Sequence, residues 1–126
     1  MNTDNKIKQI IRVEHADGLG MFMKADRRKH CVYNCPELQA LADRHESFPL
    51  AKNEVDVWKD SKEWFCAYLS IVQLQEWVFP KEFEHLFSRG SKVWLLDVIE
   101  WQEGKHQVVY TKKSIISKKD ISELFI

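Results

Sequence analysis

Read for the spacing of its apolar positions, the chain gathers around one dense stretch, residues 64–101, WFCAYLSIVQLQEWVFPKEFEHLFSRGSKVWLLDVIEW. The pattern there predicts strand, helix, helix, strand. Residues 63–69 are rich in aromatic and apolar side chains, as a buried strand is. Ser70 ends that run and opens a helix. With Gln73 it forms an S-x-x-Q capping box, in which each side chain satisfies an N–H that the first turn leaves orphaned. Ile71, Leu74 and Val78, with Trp77 beside them, mark the buried face of this helix. Pro80 suits the first turn of a second helix. Phe83, Leu86 and Phe87 recur in it at i, i+3 and i+4, and Gly90 stands where a C′ glycine stops it. Residues 93–99 are apolar on both faces except at Asp97, which predicts a central strand covered on both sides. A carboxylate there needs a partner or a place near the end of the sheet.

The flanks add weaker elements. Residues 7–14 alternate as a strand, with Ile7, Ile11 and Val13 on one face (Gln9 the polar exception) and Lys8, Ile10, Arg12 and Glu14 on the other. Two readings of the polar face follow. Arg12 and Glu14 form a solvated charge pair, or Arg12 faces a cleft and grips a phosphate or carboxylate with its forked guanidinium. Gly18 and Gly20 mark a turn, and residues 21–24 suit a short return strand. No helical pattern opens at Gly20, which weighs against a phosphate-cradling loop. Pro36, Leu38, Leu41, Ala42 and Arg44 predict a short helix over 36–44. Residues 45–61 keep no period, and a connection of that length is often a binding loop, pinned here by Phe48 and Trp58. Glu103-Gly104 fits a turn, and residues 106–111 read as another strand, with 114–116 extending it or standing alone. Ser117 and Asp120 are candidate caps for a final helical stub holding Ile121, Leu124 and Phe125.

These elements predict an α+β fold: a single small domain over residues 1–126, its mixed or antiparallel sheet packed with two to four short helices. The length agrees, since 126 residues suit one domain with a core that needs no staples. Charge narrows the partners. Nineteen basic and nineteen acidic residues balance to zero, against a strongly basic nucleic-acid binder and against an acidic mimic of nucleic acid. Arg27, Arg28 and Lys29 make a local basic patch, as do the lysines near the C-terminus. Three cysteines, Cys31, Cys35 and Cys66, do not suggest a disulfide framework. His30, Cys31, Cys35 and His45 lack the paired spacing of a zinc site, so no metal is expected. His15, His85 and His106 fall into no catalytic motif with them. The polar start and the want of a long apolar run predict neither signal peptide nor membrane span, and so a cytoplasmic protein.

Two resemblances enter on these residues. Arg12-Val-Glu-His15 followed by Gly18-x-Gly20-x-Phe22, with the later WFCAYLS-IVQLQEW unit, resembles small bacteriophage and prophage proteins over most of the chain. That likeness implies a host-cell cytosol as the setting and no particular activity. More remotely, the order of motifs is similar to the ADP-ribosyltransferase fold. There an Arg or His on an early strand, a strand ending in Ser before a helix, and a catalytic Glu entering a later strand recur. Arg12 and Ser70 match the first two positions. Gln107 of Gln107-Val-Val-Tyr110 stands where the Glu belongs, and Glu103 and Glu100 lie four and seven residues earlier. A neutral amide can bond a ribose but offers no negative charge to the cation that forms as nicotinamide leaves, a loss worth roughly 2–4 kcal/mol of barrier.

The expected function is therefore that of a small phage-type accessory protein acting by non-catalytic binding. Its expected partner is a host protein, with a defence protein among the candidates, which it inhibits. No cofactor is needed. Arg12, Arg27, Arg28, Phe48 and Trp58 are the binding candidates, because aromatic and Arg side chains anchor interfaces. The alternative is an NAD-dependent ADP-ribosyltransferase-like enzyme with a degenerate site at Arg12, Ser70, Gln107 and Glu103. A nucleic-acid-binding module using residues 27–29 and the lysine-rich end is the weakest of the three.

Overall fold

The computed structural model describes residues 6–16, 18, 36–46 and 63–126. Their elements are β1 (Lys8–Glu14), α1 (Gln39–Glu46), β2 (Phe65–Ala67), α2 (Ile71–Trp77), α3 (Pro80–Ser88), β3 (Lys92–Val98), β4 (Trp101–Glu103), β5 (Val108–Tyr110) and β6 (Ile115–Asp120). Short 3-10 turns lie at Pro36–Leu38, Lys112–Ser114 and Ser122–Phe125. Two three-stranded sheets result, ordered β1-β3-β6 and β2-β5-β4, and every strand pair in them is antiparallel. The fold is α+β.

One long, bent hairpin supplies the centre of both sheets. Its first half pairs β3 with β6, and its second half pairs β4 with β5. Between them the backbone stays joined, Ile99 N–H donating to Ser114 O at 3.2 Å and Thr111 N–H to Glu100 O at 3.3 Å. A register shift at Asp97/Val98 and the Lys112–Ser114 turn make the corner. An extra residue on one side of a ladder bends it in this way. β1 then flanks the first half and β2 the second. The end of β2 crosses to β1, where Ile11 and Tyr68 exchange hydrogen bonds of 2.9 and 2.7 Å. That one bridge closes the two sheets around a shared interior.

Alternation on β1 and β3 sorts the side chains into two cores. Ile11, Val13, Val93 and Leu95 face the helices, packing with Leu38, Leu41, Leu74, Val78, Phe83, Leu86 and Phe125. Ile10, Trp94, Leu96 and Val98 face the second sheet, packing with Phe65, Ala67, Val108, Tyr110 and Ile115. The central strand at 93–99 is thus covered on both sides, as its double apolar face requires. Asp97 sits near the strand's end, half-buried, and accepts from Gln9 Nε2 at 3.4 Å.

The helices follow their local signals. Leu38, Leu41 and Ala42 are the buried stripe of the first helical segment. Ser70 caps α2, its Oγ accepting from Gln73 N–H at 3.1 Å. The reciprocal bond differs from the expected box, because Gln73 Oε1 accepts from Leu69 N–H at 2.7 Å and not from Ser70. Pro80 begins α3, and Glu82 reaches back to Phe79 N–H at 2.8 Å. Gly90, at φ +94°, ends α3 in a Schellman turn: Ser91 N–H bonds Leu86 O and Gly90 N–H bonds Phe87 O, both at 3.0 Å. Arg44 does more than favour a helix end. It donates to Trp77 O at 3.0 Å, pairs with Glu82 and covers the Phe79 ring, so α1 clamps the junction of α2 and α3.

Three expectations need correction. β2 is shorter than residues 63–69 and only partly buried, because Cys66 points outward and Tyr68 leaves to bridge β1. The stretch Ile115–Asp120, expected to stop near 116, continues as β6 because β3 pairs with it through Asp120. Ser117 and Asp120, the expected caps, therefore lie in the strand; the N-cap of the last turn is Ile121, and Asp120 just before it accepts from Ser122 N–H at 2.9 Å. Residues 101–103, expected only to lead into a turn, form β4, and Gly104 N–H donates to Gln107 O at 2.7 Å across the turn.

Candidate functional site

Most of the described polar chemistry converges at one end of the space between the sheets. Arg12 and Glu14 stand two apart on β1 and so share a face, pointing between the sheets. The expected solvated pair is in fact buried, with side chains only 7% and 4% exposed. Arg12 Nε donates to Glu14 Oε2 at 2.9 Å, and Arg12 Nη1 donates to Cys66 O at 2.5 Å. The guanidinium carbon lies 5.5 Å from the Phe65 ring centre and 5.8 Å from that of Tyr110. Glu14 takes a second cation, Lys118 of β6, at 3.0 Å through Oε1. Register explains the triad, since Arg12 stands beside Trp94, which stands beside Asp120. Lys118, two residues before Asp120, comes up on that same face.

Around this triad the rim is aromatic and cationic. Lys118 Nζ lies 4.4 Å over the Trp94 ring, and Lys92 lies over the same ring at 5.9 Å while pairing with Asp120 at 3.7 Å. Lys112 Nζ lies 4.5 Å over Phe65 and donates to Gly18 O at 3.0 Å. Beneath them the Tyr110 hydroxyl is fully buried and has no hydrogen-bond partner among the described residues. Burial pushes the Tyr110 phenol far up, the nearby Arg12 opposes that, and Glu14 adds to it, so the hydroxyl stays protonated. Chemically, the triad neutralises buried charge and ties β1 to β2 and β6. A free guanidinium fork for a phosphate or carboxylate would first require Arg12 to release Glu14 and Cys66.

The other candidates are scattered among local duties. Ser70 Oγ is the α2 cap. Glu103 pairs with Lys8 at 3.0 Å, near Trp101. Gln107 is buried at the entry to β5, one residue before Val108, which pairs with both Ala67 and Glu103. Ser70 follows β2 and Gln107 precedes β5, its partner strand, while β1 with Arg12 belongs to the other sheet and meets this one at the Ile11–Tyr68 bridge; Arg12 and Ser70 point their polar atoms at separate local partners. Arg27, Arg28, Phe48 and Trp58 lie outside the described residues, as do the Gly20 turn, the 21–24 strand, most of the 45–61 loop, and His30, Cys31 and Cys35. Among the described residues no cluster of His, Cys, Asp and Glu is placed to hold a metal ion. Nor is any described helix long and apolar enough to cross a membrane.

A second feature lies on the opposite side of the fold. Gln75, Pro80, Lys81, Phe83, Glu84, Leu124, Phe125 and Ile126 line an open hollow of about 720 Å³ between α3 and the C-terminal turn. Leu124 and Ile126 on its rim are 63% and 90% exposed. Of the apolar residues in the expected final stub, the turn at Ser122–Phe125 sends Phe125 inward against Phe83, ring centres 4.6 Å apart, and Leu124 outward. Lys118, Trp94, Phe65 and Tyr110 were missed as neighbours of Arg12. Their one sequence signal was membership of alternating strands, and pairing over as many as 104 residues decided the rest.

Fold and site together define a small α+β protein whose buried charge is internally paired and whose surface carries lysines and apolar side chains. The chain belongs to the family described as Bacteriophage T4 Y00F protein, whose family model matches residues 1–122. It is a small phage protein. No curated protein and no solved structure matches the chain.

Proposed function

We propose that this phage accessory protein works by non-catalytic binding: in the host cytosol it engages a host protein, a defence protein among the candidates, and inhibits it. The observation that carries this reading is apolar surface left outside both cores. Leu124 and Ile126 project beside the hollow under α3, and Val72 on α2 is 69% exposed. Exposed apolar side chains beside charge, here Leu124 and Ile126 with Lys81 and Glu84 at the hollow, are the usual ground of protein contact. Phe48, Trp58, Arg27 and Arg28 belong to the same proposal as anchor residues.

The test is capture from a bacterial lysate, identification by mass spectrometry, and titration of the purified partner against the full chain. Leu124→Ser with Ile126→Ser should weaken that complex by roughly tenfold or more while leaving the fold intact. Phe48→Ala with Trp58→Ala tests the other anchors in the same way. A partner bound equally by both double variants and by the parent chain removes these surfaces. A chain that captures no specific protein removes the reading itself.

A further inference from the structure

Among the described residues one long strand is left half-paired. β6 is six residues long and bonds only β3, so its other edge is open among the described residues. The phase of that edge can be read from its end. Ile121 N–H donates to Val93 O at 2.9 Å. Antiparallel pairs alternate between bonded and non-bonded, so Lys119 and Ser117 turn their amides toward β3. Lys118 and Asp120 therefore turn their N–H and C=O outward, two ready donor–acceptor sets. Residues 116–120 are exposed, with Ile116 at 54%.

Charge selects the occupant. The whole chain is neutral, yet residues 105–119 contain five lysines and no acid. Four of them, Lys112, Lys113, Lys118 and Lys119, are exposed along or beside the β6 edge. Lys118 and Lys119 point to opposite faces of the sheet; Lys118 is already held by Glu14, so the charge that an added strand meets comes chiefly from Lys119 and from Lys113 beside the edge. Edge lysines also guard strands against unwanted pairing. A second copy of β6 would crowd four such lysines against two aspartates. An acidic strand meets no such penalty.

We infer that the open edge of β6 is a docking surface for an extended acidic segment of a partner protein, which adds to the sheet as a strand antiparallel or parallel to β6. Main-chain bonds to Lys118 and Asp120 hold it, and the flanking lysines select its charge. This inference rests on the binding reading above and names a surface separate from the hollow.

The probe is a blocked peptide alternating Glu and Val, titrated into the full isotope-labelled chain and followed by amide NMR and hydrogen exchange. Three controls accompany it: the same peptide N-methylated at alternate residues, its Lys–Val counterpart, and a single-stranded oligonucleotide of equal charge. The Glu–Val peptide should bind and slow exchange at the Lys118 and Asp120 amides, and the methylated and Lys–Val peptides should not. Lys113→Glu with Lys119→Glu should weaken binding by roughly tenfold at low salt. Equal binding by the methylated peptide overturns the inference. So does oligonucleotide binding without amide protection, or self-association of the chain through β6. Should the lysate partner bind the charge-reversed chain as well as the parent, this surface falls while the binding reading stands.

Discussion

Glu14→Gln is the most exacting test of the charged centre. The substitution keeps the size and one acceptor oxygen but removes the carboxylate that Arg12 and Lys118 share. Two cations then lose one counter-charge. Arg12 dominates the cost, because its side chain is 7% exposed and cannot turn to water without opening the contact with Phe65 and Tyr110. Removing one member of a buried pair typically destabilises by about 3–5 kcal/mol. Lys118 is 39% exposed and rehydrates, so its share is about 1 kcal/mol or less. For a chain of this length the total corresponds to a fall in Tm of roughly 10–20 °C. Urea and thermal unfolding measure it. The partner experiment is Arg12→Met with Glu14→Leu, which removes both buried charges and leaves apolar volume between the sheets. It should be markedly more stable than Glu14→Gln alone, since the buried ions are replaced, not orphaned. A Glu14→Gln variant within about 0.5 kcal/mol of the parent would refute the reasoning, as would single-site losses that simply add in the double variant.

Three further outcomes are expected. Tyr110→Phe removes a buried hydroxyl that has no partner among the described residues, so it should stabilise by about 1 kcal/mol in urea unfolding; a loss of stability would show that the hydroxyl has a partner. Gly90→Ala should cost about 1–2 kcal/mol from the positive φ alone, because the added Cβ makes ordinary contacts, with Ala16 Cβ at 3.6 Å and the His15 ring at 4.0 Å; calorimetry showing no loss would deny the strain. Asp120 is held below the usual carboxylate range by its bonds to Ser122 and by Lys92. A depressed carboxylate stabilises fully above its unfolded pKa and loses that contribution as pH falls through its folded pKa. The Ser122–Phe125 turn should therefore loosen below the ordinary aspartate range, read as faster exchange at Ser122, and Asp120→Asn should flatten that dependence.

What could be read along the chain was what neighbours decide. Ser70, Pro80 and Gly90 act on N–H and C=O groups within one turn of themselves, and Leu38, Leu41 and Ala42 meet the core through a single helical period. The double apolar face of 93–99 likewise sufficed to place a central strand. The α+β class followed from these local signals. The candidate site was legible only as far as one strand extends: Arg12 and Glu14 had to share a face. Their burial, and their union with Cys66, Tyr110 and Lys118, depend on which strands pair and in which register. Alternation does not encode that choice, because a polar strand such as Ile115–Asp120 looks the same whether it lies free or pairs with β3. Tertiary structure made it by bending one hairpin at Ile99 and Glu100, so that residues over a hundred positions apart enclose the same charge.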